Sequence, residues 1–255
     1  MNDKLEKREA NGGRVTGTSE NGFRLGVPGM ASGTYGLAQL DDYMHLPRRK
    51  FPHTPPFSLR IEARVSGQCL PGTWGFGLWN DPFSVGFGAG GMSRLLPVAP
   101  NAAWFFYGSG DNHLSLRDDL PGSGFHAKTF RSPLLPSILS LAAVPGLPLL
   151  LWPLAARFVR KLSRQVVKED ATLLDVDLKD WHAYQLDWQD DSVTFSVDGE
   201  EVFQTNLSPR GRLGLVIWMD NQFFRFDPEG QIGFGFLQTF ATQILAVRNI
   251  NTAVD

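Results

Sequence analysis

Two short stretches join an indole to carboxylate and amide groups: Leu78-Trp79-Asn80-Asp81 and Ile217-Trp218-Met219-Asp220-Asn221. In each, the tryptophan offers a flat stacking surface and its neighbours offer oriented donors and acceptors, the combination that small-molecule sites use. With Trp104 as a third indole and His113 as a group that titrates near neutrality, the candidate ligand-binding residues are Trp79, Asn80, Trp104, Trp218, Asn221 and His113. Asp81 and Asp220 are the candidate catalytic residues, each a proton carrier in aromatic surroundings, which suits a cofactor-free cyclisation or isomerisation. A plainer account fits the same residues: the indoles fill the core and the Asp and Asn side chains close Asx turns. His113 and His126 also read as solvated loop histidines. Gly86-Phe-Gly-Ala-Gly-Gly91 lacks the lysine and hydroxyl of a phosphate loop. One cysteine, Cys69, excludes an intrachain disulfide and reads as a small core residue, and the five histidines show no zinc spacing with it. No cofactor and no metal are expected.

The elements that must position these groups are strands. Phe57-Ser-Leu-Arg-Ile-Glu-Ala-Arg-Val65 alternates without a break, and the stretch from Gly33 to Tyr43 alternates more loosely. In Gly72-Thr-Trp-Gly-Phe-Gly-Leu-Trp79 the side chains of Trp74, Phe76 and Leu78 share one face, and the glycines opposite leave room for a ligand or for neighbouring backbone. Ala102-Ala-Trp-Phe-Phe-Tyr107 is apolar on both sides, as a strand covered on both faces should be. Leu114 to Arg117 suits a short strand. From His182 to Val197 a hairpin carries Tyr184, Leu186 and Trp188 out and Val193, Phe195 and Val197 back, followed by an Asp198-Gly199 turn. Leu213 to Met219 and Phe234 to Val247 supply the last strands. The 27 glycines and 17 prolines fit many turns and exclude a helical bundle.

The hairpin residues Trp181, His182, Tyr184, Leu186, Trp188, Asp191, Val193, Phe195, Val197, Asp198 and Gly199, with Phe57–Val65 and Gly77-Leu-Trp79, resemble the concanavalin A-like jelly roll shared by laminarinase-type glycoside hydrolases and laminin-G-like lectins. The similarity runs roughly from Gly33 to Val247. It implies an all-β sandwich, with residues 1–22 a flexible N-terminus and 23–255 a single domain carrying an insertion at 132–168. Retaining hydrolases of that family carry a Glu-x-Asp-x-x-Glu strand whose paired carboxylates perform the double displacement. The matching stretch here, Pro100-Asn-Ala-Ala-Trp-Phe-Phe-Tyr-Gly-Ser109, contains no carboxylate, so the hydrolase mechanism does not carry over.

The insertion begins with an uncharged, proline-punctuated run from Ser132 to Ala156 that includes Leu149, Leu150 and Trp152. Its prolines argue against one straight membrane span. Pro153 suits a first helical turn, after which Leu154, Phe158, Leu162 and Val166 form a stripe, with Arg157, Arg160, Lys161, Arg164 and Lys168 on the remaining surface. Such a segment serves as a lid, a membrane-surface anchor or a cover for the sheet.

A net charge of −2 gives no pull toward nucleic acid, so no nucleic-acid partner is expected. The N-terminus has no apolar signal-peptide core, which places the expected site of action in the cytoplasm, with peripheral contact at the inner membrane. The first functional expectation is therefore a non-hydrolytic binder of, or cofactor-free enzyme for, a hydrophobic or amphiphilic small molecule at the membrane surface. The alternatives are a carbohydrate-binding or glycoside-hydrolase-like protein, and an interaction protein that docks or oligomerises through the insertion.

Overall fold

The computed structural model describes residues 5–19, 21–82, 97–135 and 152–253. Their strands form two seven-stranded antiparallel sheets packed face to face, with one helix and one additional hairpin. The front sheet runs in the order β1 (Glu6–Ala10), β4 (Leu37–Asp41), β13 (Gly214–Asp220), β6 (Thr73–Trp79), β7 (Ala102–Gly108), β8 (Gly124–Arg131) and β9 (Lys168–Leu173). The back sheet runs β12 (Glu200–Thr205), β11 (Val193–Val197), β10 (His182–Trp188), β5 (Phe57–Val65), β16 (Gln243–Ala253), β3 (Phe23–Val27) and β2 (Arg14–Gly17). This is the concanavalin A-like β-sandwich expected from the hairpin and its companion strands.

The shared core follows from the period of two. In β5 the residues Phe57, Leu59, Ile61, Ala63 and Val65 are buried and the residues between them are not. Leu186 and Trp188 of β10 pair with Leu59 and Phe57, and Leu186 and Phe195 pair across the hairpin, so the same side chains serve both strands. The Asp198-Gly199 turn has both residues at positive φ (52° and 89°), which matches the twist of a two-residue hairpin. Phe76 of β6, Phe105 of β7 and Ile217 of β13 meet this surface from the front sheet and complete one apolar cluster. Strands β7 and β13 are buried along their whole length, which accounts for their apolar residues on both faces.

Several expectations fail locally. Residues 1–22 do not read as wholly frayed: β1 pairs with β4 and β2 with β3, so the N-terminal segment joins an edge of each sheet. Leu114 to Arg117 lies in a loop, where His113 makes a single bridge to Arg225. His126 is no loop histidine but a buried residue of β8. Cys69 is exposed rather than packed in the core. The helix, α1, spans Pro153–Val166, and a hairpin of β14 (Gln222–Phe226) and β15 (Ile232–Phe236) follows β13.

Candidate functional site

Because its central strands β4, β13, β6, β7 and β8 are buried on both sides, the front sheet carries a second face, turned away from the shared core. Alternation sets its rows: Asp41, Val216, Gly77, Trp104, Lys128 and Ala171 lie side by side across β4, β13, β6, β7, β8 and β9. The next row holds Gln39, Trp218, Gly75, Phe106, His126 and Leu173. The three candidate indoles meet here. Trp79 and Trp218 stack with centroids 6.2 Å apart and planes 3° from parallel, and Trp104 lies 5.7 Å from Trp79 and 5.4 Å from Trp218. Trp79 Nε1 donates to the Tyr43 hydroxyl at 2.5 Å. Tyr43, Phe51, Phe106 and Phe130 extend the cluster, with Leu46, Leu114 and Val167 packed against it.

The glycines of β6 serve the indoles. A Cβ on Gly75 would lie 2.7 Å from Cη2 of Trp218, and one on Gly77 would lie 2.5 Å from Cα of Trp104. The room they leave is therefore filled by neighbouring rings and backbone.

The polar members of the two Trp motifs do not converge. Strands β6 and β13 are antiparallel, with Thr73 opposite Asp220 and Trp79 opposite Gly214, so Asp81 and Asp220 sit at opposite ends of the sheet, about 20 Å apart along the strands. Asn80 accepts from the Asn101 N–H and donates to the Ala99 carbonyl. Asn221 accepts from the Gly36 N–H and donates to the carbonyls of Thr34 and Leu237. Both amides hold loops together. Asp81 occupies a positive-φ turn (47°), and Arg48 grips its backbone carbonyl at 2.8 Å. Asp220 is buried and accepts from Thr73 Oγ1 at 2.8 Å and from the Gln222 N–H, and Thr73 Oγ1 accepts from Trp218 Nε1. Burial pushes the Asp220 carboxyl up to about 7 against these hydrogen bonds.

The chemistry-bearing groups that do gather were missed by sequence reasoning. On β8, Lys128 is buried and its Nζ donates to the Leu114 carbonyl at 3.0 Å and to Ser115 Oγ at 2.9 Å, with Glu169 Oε2 of β9 3.6 Å away. Glu169 Oε1 accepts from the Arg117 N–H. Desolvation holds the Lys128 ammonium below its ordinary value, with Glu169 opposing. One row along, His126 is 3% exposed, and burial lowers its imidazole to about 4, so it is neutral at physiological pH. Trp104 Nε1 has no hydrogen-bond partner, and Glu169 Oε2 has none outside its ion pair, while the His126 ring lies against the backbone of Gly124 and Phe106. Glu169 also lines a hollow of about 430 Å³ with Arg117, Arg164, Lys168 and Asp170. His113, one of the predicted ligands, is backed by Gly122 and bonded through its backbone to Phe224, and its Nε2 is likewise without a partner. Burial, with Arg160 nearby, holds that imidazole below its usual value. The available signal was the pattern of Phe125-His-Ala-Lys-Thr-Phe130, which puts His126 and Lys128 on one face of a strand.

Helix α1 does not bury its apolar stripe against the sheet, as a simple cover would. Ala156 and Arg160 face inward; Arg160 donates to the carbonyls of Ser115 and Phe226 and pairs with Asp118 at 3.0 Å. Arg164 also binds Asp118, and Arg157 donates to the Glu229 carbonyl. Trp152, Leu154, Phe158, Leu162 and Val166 remain exposed. Leu149 and Leu150 lie outside the described residues.

No curated protein sequence matches the chain. The profile of the family described as Glycosyl hydrolases family 16 matches residues 162–212, from the end of α1 through β12, and leaves β7 outside the match. Among solved structures, the chain is similar to a Bacillus licheniformis beta-glucanase (12% identity, TM-score 0.47, covering 100% of this chain and 94% of that one). It is similar to LamAcat from Zobellia galactanivorans (13% identity, TM-score 0.49, 99% and 91%). It is also similar to a sialidase (8% identity, TM-score 0.46), of whose length it spans 17% while 98% of its own is covered. The profile match and the separation of Asp81 from Asp220 overturn the first functional expectation, a binder or cyclase for a hydrophobic small molecule. They favour its alternative: the chain is a concanavalin A-like sandwich whose hairpin region is similar to family 16 glycosyl hydrolases.

Proposed function

We propose that the chain binds a neutral glycan without cleaving it, on the outer face of the front sheet beside β8 and β9. The observation that carries this reading is the polar set beside the indole cluster: Trp104 Nε1, a buried donor without a partner, with the neutral His126 imidazole and the Glu169 carboxylate, whose Oε2 meets only Lys128, on the neighbouring strands. An indole N–H only donates, a carboxylate only accepts and a neutral imidazole does one of each. Sugar hydroxyls donate and accept, so they complement this mixture, and leaving such groups unpaired costs about 1–3 kcal/mol apiece. The hollow lined by Glu169 lies beside this set. Most local charges are paired, Lys128 with Glu169, Arg160 and Arg164 with Asp118, and Arg117 with Asp119 and Asp170, while Lys168 lies outside these pairs. The pairing favours a neutral sugar over an anionic one.

Binding without cleavage follows from β7, where Ala102, Trp104 and Phe106 occupy the outward positions. Double displacement needs two carboxylates about 5 Å apart, and that strand offers none. A glycan array followed by calorimetry tests the reading. The expected result is retention of a soluble glucan or galactan with no new reducing ends, and affinity about tenfold weaker in Trp104→Phe and in Glu169→Gln. Trp104→Phe keeps a ring and removes only the N–H side of the indole, so it separates lost recognition from lost fold. No retention of any glycan, or unchanged affinity in both variants, would overturn the proposal.

A further inference from the structure

Helix α1 turns its polar side inward and its apolar side outward. Leu154, Phe158, Leu162 and Val166 recur every fourth residue, which stacks them along one face, and they are 65%, 62%, 45% and 44% exposed. Arg160, 3% exposed, lies on the opposite side with Ala156. A helix that only covered the sheet would be oriented the other way, because burying the apolar stripe is what normally holds a surface helix down. Here Arg160 does the anchoring, through two backbone carbonyls and Asp118.

The flanks of the exposed stripe are cationic. The helix contains no acidic residue, and among the described residues Arg157, Lys161 and Lys168 have no carboxylate partner. We propose that this face docks on an anionic lipid surface, the stripe and Trp152 entering the headgroup boundary while Arg157, Lys161 and Lys168 meet lipid phosphates and carboxylates. An apolar stripe bordered by cations, with an indole at its end, is the composition of a helix lying in a membrane interface. A second copy of the chain is the poorer occupant, since pairing two such faces would set cations against cations. Among the described residues no helix is long and apolar enough to cross a membrane. This face adjoins the hollow through Lys168, but the inference does not rest on the glycan reading.

Co-sedimentation of the full chain with vesicles of phosphatidylcholine alone, and of phosphatidylcholine with phosphatidylserine, tests it at low and high salt. The expected result is sedimentation with the phosphatidylserine vesicles at low salt, reduced by salt. Lys161→Gln should weaken partitioning about fivefold, and the double variant Phe158→Ser, Leu162→Ser should abolish it. These positions are exposed, so the variants retain the fold, which circular dichroism confirms independently. Three results would overturn the inference: no sedimentation of the wild type at low salt, equal sedimentation with phosphatidylcholine alone, or a dimer in light scattering that the double variant turns into a monomer.

Discussion

Asp220 was singled out from its neighbours in sequence, and the structure gives it a different role from the one they suggested. Its carboxyl holds Thr73 Oγ1 and the Gln222 N–H at one end of the front sheet, and Thr73 in turn holds the Trp218 indole. Burial raises its folded-state value from 3.8 to about 7. A raised carboxyl binds its proton more tightly in the folded chain than in the unfolded one, so its ionisation destabilises the fold progressively between about pH 4 and pH 7. Above that window the cost is full, on the order of a few kcal/mol. Asp220→Asn keeps an acceptor for both donors and carries no charge. We expect the stability of this variant relative to the wild type to rise from about pH 4 to pH 7 and to level off above, as read by denaturant titration of both proteins at each pH. His126 works in the opposite direction: depressed to about 4, it contributes stability above its ordinary value that is lost as pH falls through that lower one.

At the scale of the element, β6 shows how glycine spacing decides the outer face. Gly75 is backed by the Phe105 carbonyl, 2.4 Å from where its Cβ would be, and by the Trp218 ring at 2.7 Å. Gly75→Ala must push that ring away, and we expect a loss of about 1–3 kcal/mol with a changed near-ultraviolet signal from the indole cluster. Alternation announced β5, β6 and the β10–β11 hairpin because the buried residues of their inward faces are apolar, and β7 was announced by being apolar on both faces. Strand β8 was illegible by the same measure: His126 and Lys128 interrupt its apolar pattern, and the reason they are tolerated lies in β9 and in the loop at Leu114 and Ser115. Helix α1 was legible as a helix, from Pro153 and the four-residue spacing, while its orientation depended on carbonyls of Ser115 and Phe226 that are distant in the chain.

Across the whole molecule, two sheets share one core and only the front sheet carries a second buried face. Trp188 of the back sheet is fully buried in that core and its Nε1 donates to Ser208 Oγ. Removing it affects both layers. We expect Trp188→Ala to cost about 3–5 kcal/mol and to shift one common transition, with far-ultraviolet and indole signals melting together. Two separated transitions would mean that the sheets unfold independently. The paired Trp motifs illustrate the limit of reading a site at this scale from order along the chain. Each tryptophan is followed by polar residues at a strand end, which suggested one rim, but antiparallel pairing of β6 with β13 sends those ends to opposite sides.

The sequence by itself determined the sandwich, because a period of two with apolar inward residues leaves few ways to bury a face, and the Asp198-Gly199 turn joins β11 to β12 with Val197 opposite Glu200. It also determined that the stretch from Pro100 to Ser109 contains no carboxylate, since residue type alone decides that. Only the tertiary structure decided which groups stand together: Trp79 with Trp104 and Trp218, and His126 with Lys128 and Glu169. It alone decided that Arg160 faces inward and Phe158 outward. Neighbours across a sheet come from strand order and direction, and the burial of a charge depends on partners tens of residues away, neither of which a local pattern encodes.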